Sequence, residues 1–253
     1  MHCTKCGNAI KVGARFCGVC GAPITANAPI TGQKSKNPFI IAALVVVIGI
    51  AAYFFANNDN PLQRGFGANV GDIIDFGGYE WRVLDIQGRQ ALIIMENIWD
   101  NRAYHNEWEV ITWEHSPLRR ELNNGFYNSF SLEDRERIVR KRISNPDNPW
   151  FGTPGGNDTE DYIFLLSIDE VVRYFGDSGM MREGRNERNF HDPYNEARIA
   201  YEADGSAWLW WLRSPGSLSI YTACVHNDGG IIMSGLIVNE RSVGVRPALW
   251  LSF

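Results

Sequence analysis

Ala207 to Gly216 reads AWLWWLRSPG, and Val243 to Leu251 reads VGVRPALWL. Both are aromatic or β-branched runs bounded by Ser, Pro and Gly, the composition of buried strands between turns. Trp208, Trp210 and Trp211 alternate about the first run. Each face of that strand therefore takes at least one indole, and most of this aromatic area belongs to the core. Arg213 and Arg246 interrupt the apolar runs. A buried guanidinium with five donors can tie loop carbonyls and carboxylates together, and that structural role outweighs ligand contact for both.

Further strands lie on either side. Tyr221 to Val225 and Gly230 to Met233 complete the closing group. Upstream, Gly71 to Phe76, Tyr79 to Ile86 and Gln90 to Met95 are short β-prone runs punctuated by Gly77-Gly78 and Gly88-Arg89, a meander pattern. Helices are expected between the two groups. Ser116-Pro117 supplies an N-cap with proline at the first helical position before LRRELNNGFY. Ser131 with Asp134 opens LEDRERIVRKRI, and Ser167 with Glu170 is a capping box before VVRYF. Asn145 to Asp161 and Met180 to Asn195 read as long irregular loops. The order β, α, loops, β indicates an α+β domain with an antiparallel sheet over residues 68–253, long enough for one substantial core.

The combination SPLRRELNNGFYNSFSLEDRERI, IFLLSIDEV, WWLRSPG and GVRPALWL resembles a widespread bacterial domain family of uncharacterised function, often displayed behind a membrane anchor. Its closing half is similar to the C-type-lectin-like fold of the formylglycine-generating enzymes and related surface binding domains. That resemblance implies paired terminal strands and a loop-rich exposed face. Those enzymes use a pair of cysteines for copper and oxygen chemistry, whereas this domain has Cys224 alone, so the activity should be absent.

Candidate ligand contacts are Ser217, Ser219, Tyr221, His226, Asn227 and Asp228, polar or aromatic positions between the two closing signatures. Asp147, Asp158, Glu160 and Asp161 lie in a Gly/Asn/Pro loop and offer oxygen ligands for calcium, but no EF-hand spacing is present, and a solvated acidic loop is the stronger reading. His105, His115, His191 and His226 lack metal-ligand spacing and read as surface or packing residues. Cys224 reads as a small buried hydrophobe between Tyr221 and Val225.

Phe39 to Ala56, FIIAALVVVIGIAAYFFA, carries no charge over 18 residues. As a helix it would be about 27 Å long, close to the hydrocarbon core of about 30 Å. Residues 38–57 are therefore expected to span a membrane once, followed by a polar spacer over 58–67. Before the span stand Lys5, Lys11, Arg15, Lys34 and Lys36 without a single Asp or Glu; after it come 19 basic and 29 acidic residues, a balance of −10. The positive-inside rule places the N-terminus in the cytoplasm and the domain outside. So acidic an outer domain argues against nucleic acid as its partner.

Cys3-x-x-Cys6 and Cys17-x-x-Cys20 are each followed by glycine. Two such knuckles supply four tetrahedral thiolates to one structural zinc ion, and in a reducing compartment disulfides are the weaker alternative. The stretch MHCTKCGNAIKVGARFCGVCGAPI resembles the short zinc ribbon at the N-terminus of many bacterial membrane-anchored proteins. Residues 1–25 form this module and 26–37 a flexible linker. A cytoplasmic protein contact, or a purely structural role, outweighs nucleic-acid binding for the ribbon.

Together these features describe a membrane-anchored, non-enzymatic protein whose outer domain binds an extracellular ligand or protein. The alternatives are a surface hydrolase using a carboxylate pair, which needs two acids flanking a cleft, and a single-pass sensor coupling outer ligand binding to the ribbon. Elemental analysis of the purified chain should find one zinc per chain. Cys3→Ser should lower that to a small fraction; an unchanged zinc content would rule out the four-thiolate site.

Overall fold

The structure, a computed structural model, describes residues 67–183 and 188–253. The zinc knuckles at Cys3, Cys6, Cys17 and Cys20, the linker, the apolar segment 38–57 and all but the last residue of the spacer lie outside these. Among the described residues no helix is long and apolar enough to cross a membrane.

The opening meander forms where its glycines allow. β1 (Ile73–Phe76), β2 (Tyr79–Gln87) and β3 (Gln90–Met95) are antiparallel neighbours, with Phe76 opposite Tyr79 and Gln87 opposite Gln90. Gly77 (φ 59°) and Gly78 (φ 83°) turn the first hairpin in the left-handed region, as a two-residue turn between twisted strands requires. A two-residue edge strand, β4 (Asp100–Asn101), follows.

Helices begin at their caps. Ser116 Oγ accepts from the Leu118 and Arg119 N–H groups ahead of α1 (Pro117–Glu121). The helix widens into a π turn over Leu122–Phe126 and continues as α2 (Tyr127–Ser129). Within that turn the Asn123 side chain accepts from the Tyr162 and Ile163 N–H groups and donates to Ile163 O. Ser131 caps α3 (Leu132–Arg137) by accepting from Asp134 N.

Here the sequence expectation is corrected. The helix expected through Ile143 stops at Arg137, and the chain extends as β5 (Ile138–Val139) and β6 (Lys141–Ile143). Ile138 and Ile143 are buried and Arg140 and Arg142 exposed, so the apolar positions of IVRKRI find cover as a strand rather than as a helical stripe. The expected loop after it ends in β7 (Thr159–Asp161), paired with β6, and β8 (Ile163–Phe164) follows.

The Ser167–Glu170 capping box forms in both directions and opens α4 (Ile168–Phe175). Ile168, Val171, Val172 and Phe175 are buried at helical spacing, each stabilising by about 2 kcal/mol if fully removed from water. Beyond α4 come β9 (Asn189–Phe190), α5 (Asn195–Arg198), β10 (Ala200–Tyr201) and β11 (Ala207–Trp208). The closing strands are β12 (Trp210–Pro215), β13 (Tyr221–Val225), β14 (Ile231–Ile237), β15 (Gly244–Val245) and β16 (Ala248–Ser252).

Two main sheets result. The first runs β1-β2-β3-β16-β5, with β8 also beside β16; the second runs β4-β15-β12-β13-β14-β9. Pairing among the described residues is antiparallel except between β12 and β15, which run parallel with Trp210 opposite Gly244. The terminal strand thus returns to the opening meander, with Ala248 opposite Ile94 and Ser252 opposite Gln90. Helix α4 lies against β2 of the first sheet and β12 of the second.

Val243 to Leu251, expected as one strand, is two. β15 belongs to the second sheet and β16 to the first, and the chain crosses between them at Arg246-Pro247. Proline offers no N–H to a ladder, so pairing on both sides cannot run through it. Its carbonyl still accepts from Met95 N at 2.9 Å.

Arg213 fixes the other junction. It is 3 % exposed on β12. Its Nη1 donates to Leu165 O at 2.6 Å and to the Glu170 carboxylate, its Nη2 to Ser144 O at 2.8 Å, and its Nε to Asn145 Oδ1 at 3.2 Å. One side chain thus joins β12 to the start of α4 and to the loop after β6.

An alanine Cβ at Gly77 would stand 2.2 Å from the Phe130 ring, whereas at Gly88 (φ 60°) nothing lies within 4 Å. Gly88→Ala should therefore cost only the left-handed strain, about 1 kcal/mol, and Gly77→Ala about 3 kcal/mol once overpacking is added. All nine tryptophans lie between residues 81 and 250, so urea unfolding followed by fluorescence reports this domain. Equal losses in the two variants would show that Phe130 does not pack against the turn.

Candidate functional site

The residues expected to form a ligand site are not gathered in one place. Ser217, Ser219 and Tyr221 lie at the start of β13 and are half-buried, while His226, Asn227 and Asp228 are exposed in the turn after its end. Five residues of extended chain separate Tyr221 from His226, about 16 Å. The strand expected at Tyr221 to Val225 already implied this separation, because the two polar groups flank its opposite ends. At the first end, Ser217 Oγ donates to Ser234 O at 3.2 Å and Ser219 O accepts from Ile111 N at 3.0 Å. At the second, the Asp228 carboxylate faces His226 Nδ1 at 3.1 Å and His191 Nε2 at 3.4 Å. Burial raises the Asp228 pKa, but the Gly230 N–H and the two imidazoles outweigh it and hold the group below the usual carboxylate range.

The acidic loop is likewise dispersed. Asp161 is fully buried, accepting from Arg119 Nε at 2.6 Å, Trp113 Nε1 at 2.9 Å and Thr159 Oγ1 at 2.7 Å. Asp158 pairs with Arg142, and Asp147 accepts from Gly155 N. Glu160 is exposed. Each of the three engaged acids is held by its own partners, so they are not assembled as a calcium cage or as a pair flanking a cleft. Among the described residues no three His, Cys, Asp or Glu side chains stand together as metal ligands.

A different segment builds a cleft. Asp100, Asn101, Arg102, Asn106, Glu121 and Arg241 surround a cavity of about 500 Å³ with Pro117 and Leu118 in its wall. The two signature segments pin its backbone from behind. Trp211 Nε1 donates to Arg102 O at 2.8 Å, and Arg102 N donates to Val243 O at 3.1 Å. The wall is tied in by Ser116, whose Oγ donates to Tyr104 O at 2.7 Å while capping α1. The Tyr104 hydroxyl in turn donates to Arg213 O at 3.3 Å, and burial pushes its pKa well up, so it stays a neutral donor.

Inside the cleft the Arg102 guanidinium lies 4.9 Å above the Trp99 ring, with Asp100 at 2.7 Å and Glu121 at 3.5 Å. One cation therefore orients two carboxylates and is itself held by an indole that packs on Phe126 at 4.4 Å. Asn106 and Arg241 are exposed, and their side chains make no hydrogen bond or ion pair among the described residues. The arrangement offers acceptors, amides and one free cation beside the apolar Ala103, Pro117 and Leu118, which suits reversible recognition of a polar ligand. Sequence reasoning passed over it. The signal available was the dense stretch WDNRAYHN between a strand and a capped helix.

Residues 88–253 match the family described as a domain of unknown function, DUF6273. The chain belongs to this family. The DUF6273 match begins at Gly88, in the turn between β2 and β3, and so takes in the whole cleft and both signature strands. Residues 2–24 match the zinc-ribbon domain, in keeping with zinc at the four cysteines. No curated protein and no solved structure matches the chain.

Cys224 of the DUF6273 domain is fully buried on β13 with a free thiol, and burial pushes its pKa well above the ordinary thiol value. A thiolate is the reactive form, so this sulfur is shielded twice. Alkylation of the native chain at pH 8 followed by peptide mapping should leave Cys224 unmodified, with full labelling in guanidinium. Native labelling at the rate of an exposed thiol would contradict the buried position.

Proposed function

We propose that this chain is a membrane-anchored, non-enzymatic bacterial protein with a cytoplasmic zinc ribbon and an extracytoplasmic binding domain, and that the cleft between β4 and α1 is where the outer domain takes its ligand. The observation that carries the reading is the cleft itself. Its carboxylates are both oriented by Arg102, and two of its polar side chains, Asn106 and Arg241, have no partner within the described structure. Such groups recognise a ligand rich in hydroxyl or amide groups, by bidentate hydrogen bonding. The C-type-lectin-like likeness belongs to the same reading and rests on the closing sequence signatures; β16 returns to β3 of the opening meander, while among the described residues β1 pairs only with β2. The single span rests on the length and flanking charge of residues 38–57, and the outward orientation on the −10 balance beyond them.

The full-length chain should bind saturably to members of a glycan array. Asn106→Ala and Arg241→Ala should each weaken binding by about three- to tenfold, or roughly 0.7 to 1.4 kcal/mol, with unfolding unchanged because neither side chain has a partner to lose among the described residues. Absence of saturable binding to any glycan, or binding that ignores both variants, would remove this reading.

A further inference from the structure

Arg246 is 1 % exposed, yet only part of its guanidinium is satisfied. Nε donates to Met95 O at 2.7 Å and Nη2 to Glu96 O at 3.0 Å, while Nη1 is buried without any hydrogen-bond partner. A buried unpaired charged donor is costly, and native structures leave few of them. The nearest carboxylate does not remedy it. Glu96 accepts two hydrogen bonds from Arg82 and reaches Arg246 Nη2 only at 3.8 Å. Two guanidinium groups thus share the Glu96 carboxylate, and among the described residues the Nη1 donor of Arg246 is left unpaired.

Both arginines line a cavity of about 310 Å³ that shares no lining residue with the cleft beside β4. Tyr174 from α4 and Tyr201 from β10 add two phenols, and Ala197 of α5 forms part of the wall. Glu196 also lines it but is exposed at the surface. The Arg246 guanidinium stacks on Phe175 at 5.5 Å and Trp210 at 5.2 Å, which fixes its plane. Burial lowers its pKa, to about 10, against the opposing pull of Glu96, so it remains charged at neutral pH.

We propose that this cavity is a second binding site, taking a small carboxylate-bearing organic molecule whose carboxylate sits against Arg246 and Arg82 and whose body lies between Tyr174 and Tyr201. One unpaired donor beside a lining that already carries Glu96 and Glu196 matches a monoanion rather than a phosphate dianion. The volume, at the low end for small-molecule sites, admits a ring-sized body.

The test uses the full-length chain with galacturonate and benzoate, their neutral counterparts galactose and benzamide, and inorganic phosphate. At millimolar concentration at least one acid should raise the melting temperature and bind saturably in calorimetry, with its neutral counterpart silent. Ala197→Trp, at an exposed helix position, should fill the cavity and weaken that binding by about tenfold or more without lowering the melting temperature. Tyr201→Phe should weaken it less. No response to any probe, equal binding of acid and neutral counterpart, binding of phosphate alone, or binding that survives Ala197→Trp would each overturn the proposal.

Discussion

A single buried guanidinium, that of Arg213, ties together three parts of this domain at one point. It lies where β12 of the second sheet passes the start of α4 and the loop after β6, and two irregular backbone segments, at Ser144-Asn145 and at Leu165, converge on it together with the Glu170 carboxylate. Irregular backbone inside a core leaves carbonyls that no ladder satisfies. Arginine answers that need with a rigid fork of donors, and Glu170 supplies the compensating charge while also capping α4 from the other side. Lysine has the charge without the fork. Removing the guanidinium would strand the Ser144 and Leu165 carbonyls and a half-buried carboxylate together, a loss of the size seen when one partner of a buried pair is deleted, about 3 to 5 kcal/mol.

Arg246 has the corresponding place at the crossing from one sheet to the other, but with a different outcome. Its bonds to Met95 O and Glu96 O satisfy the end of β3, where the ladder with β16 stops. Pro247 makes that stop obligatory. Arg213 has its Nε, Nη1 and Nη2 all hydrogen-bonded within the domain, whereas Arg246 keeps a donor unpaired. Two arginines in equivalent-looking sequence settings therefore differ in what remains available to a ligand, and only the three-dimensional inventory of partners distinguishes them.

Much of the architecture was legible in local chemistry. Ser116, Ser131 and Ser167 cap helices because a hydroxyl can meet the free N–H groups of a first turn whatever the tertiary context, and Gly77-Gly78 turns a hairpin because the required φ is a property of the residue. What could not be read depended on distant partners. The run after Arg137 has six residues, too few to separate a helical from an alternating pattern, and the decision falls to Trp250 and Leu251 pairing with Val139 and Ile138. The expected irregular loop is irregular, but its polar residues are not merely solvated. Asn148 is buried, donating to Pro215 O and Met233 O and accepting from Trp150 and Phe151 N–H groups, so asparagines that signalled a loop are ties into the second sheet.

The same dependence explains why the cleft escaped notice. Its residues Asp100 to Asn106 begin with the two-residue strand β4, which among the described residues pairs only with β15, itself two residues long. Such short pairing carries no periodicity, and what fixes the segment is external: the Trp211 indole on Arg102 O, the Val243 carbonyl on Arg102 N, and Ser116 on Tyr104 O. A binding surface built this way has its backbone pinned from behind by the core while its side chains face outward with few internal obligations. If the proposed site takes a ligand, variation at Asn106 or Arg241 would change what is recognised without disturbing Trp211 or Ser116. The rigid signature strands and the adaptable cleft are for that reason two sides of one constraint, since the indole that anchors the site can be kept only if the strand that carries it stays buried on both faces.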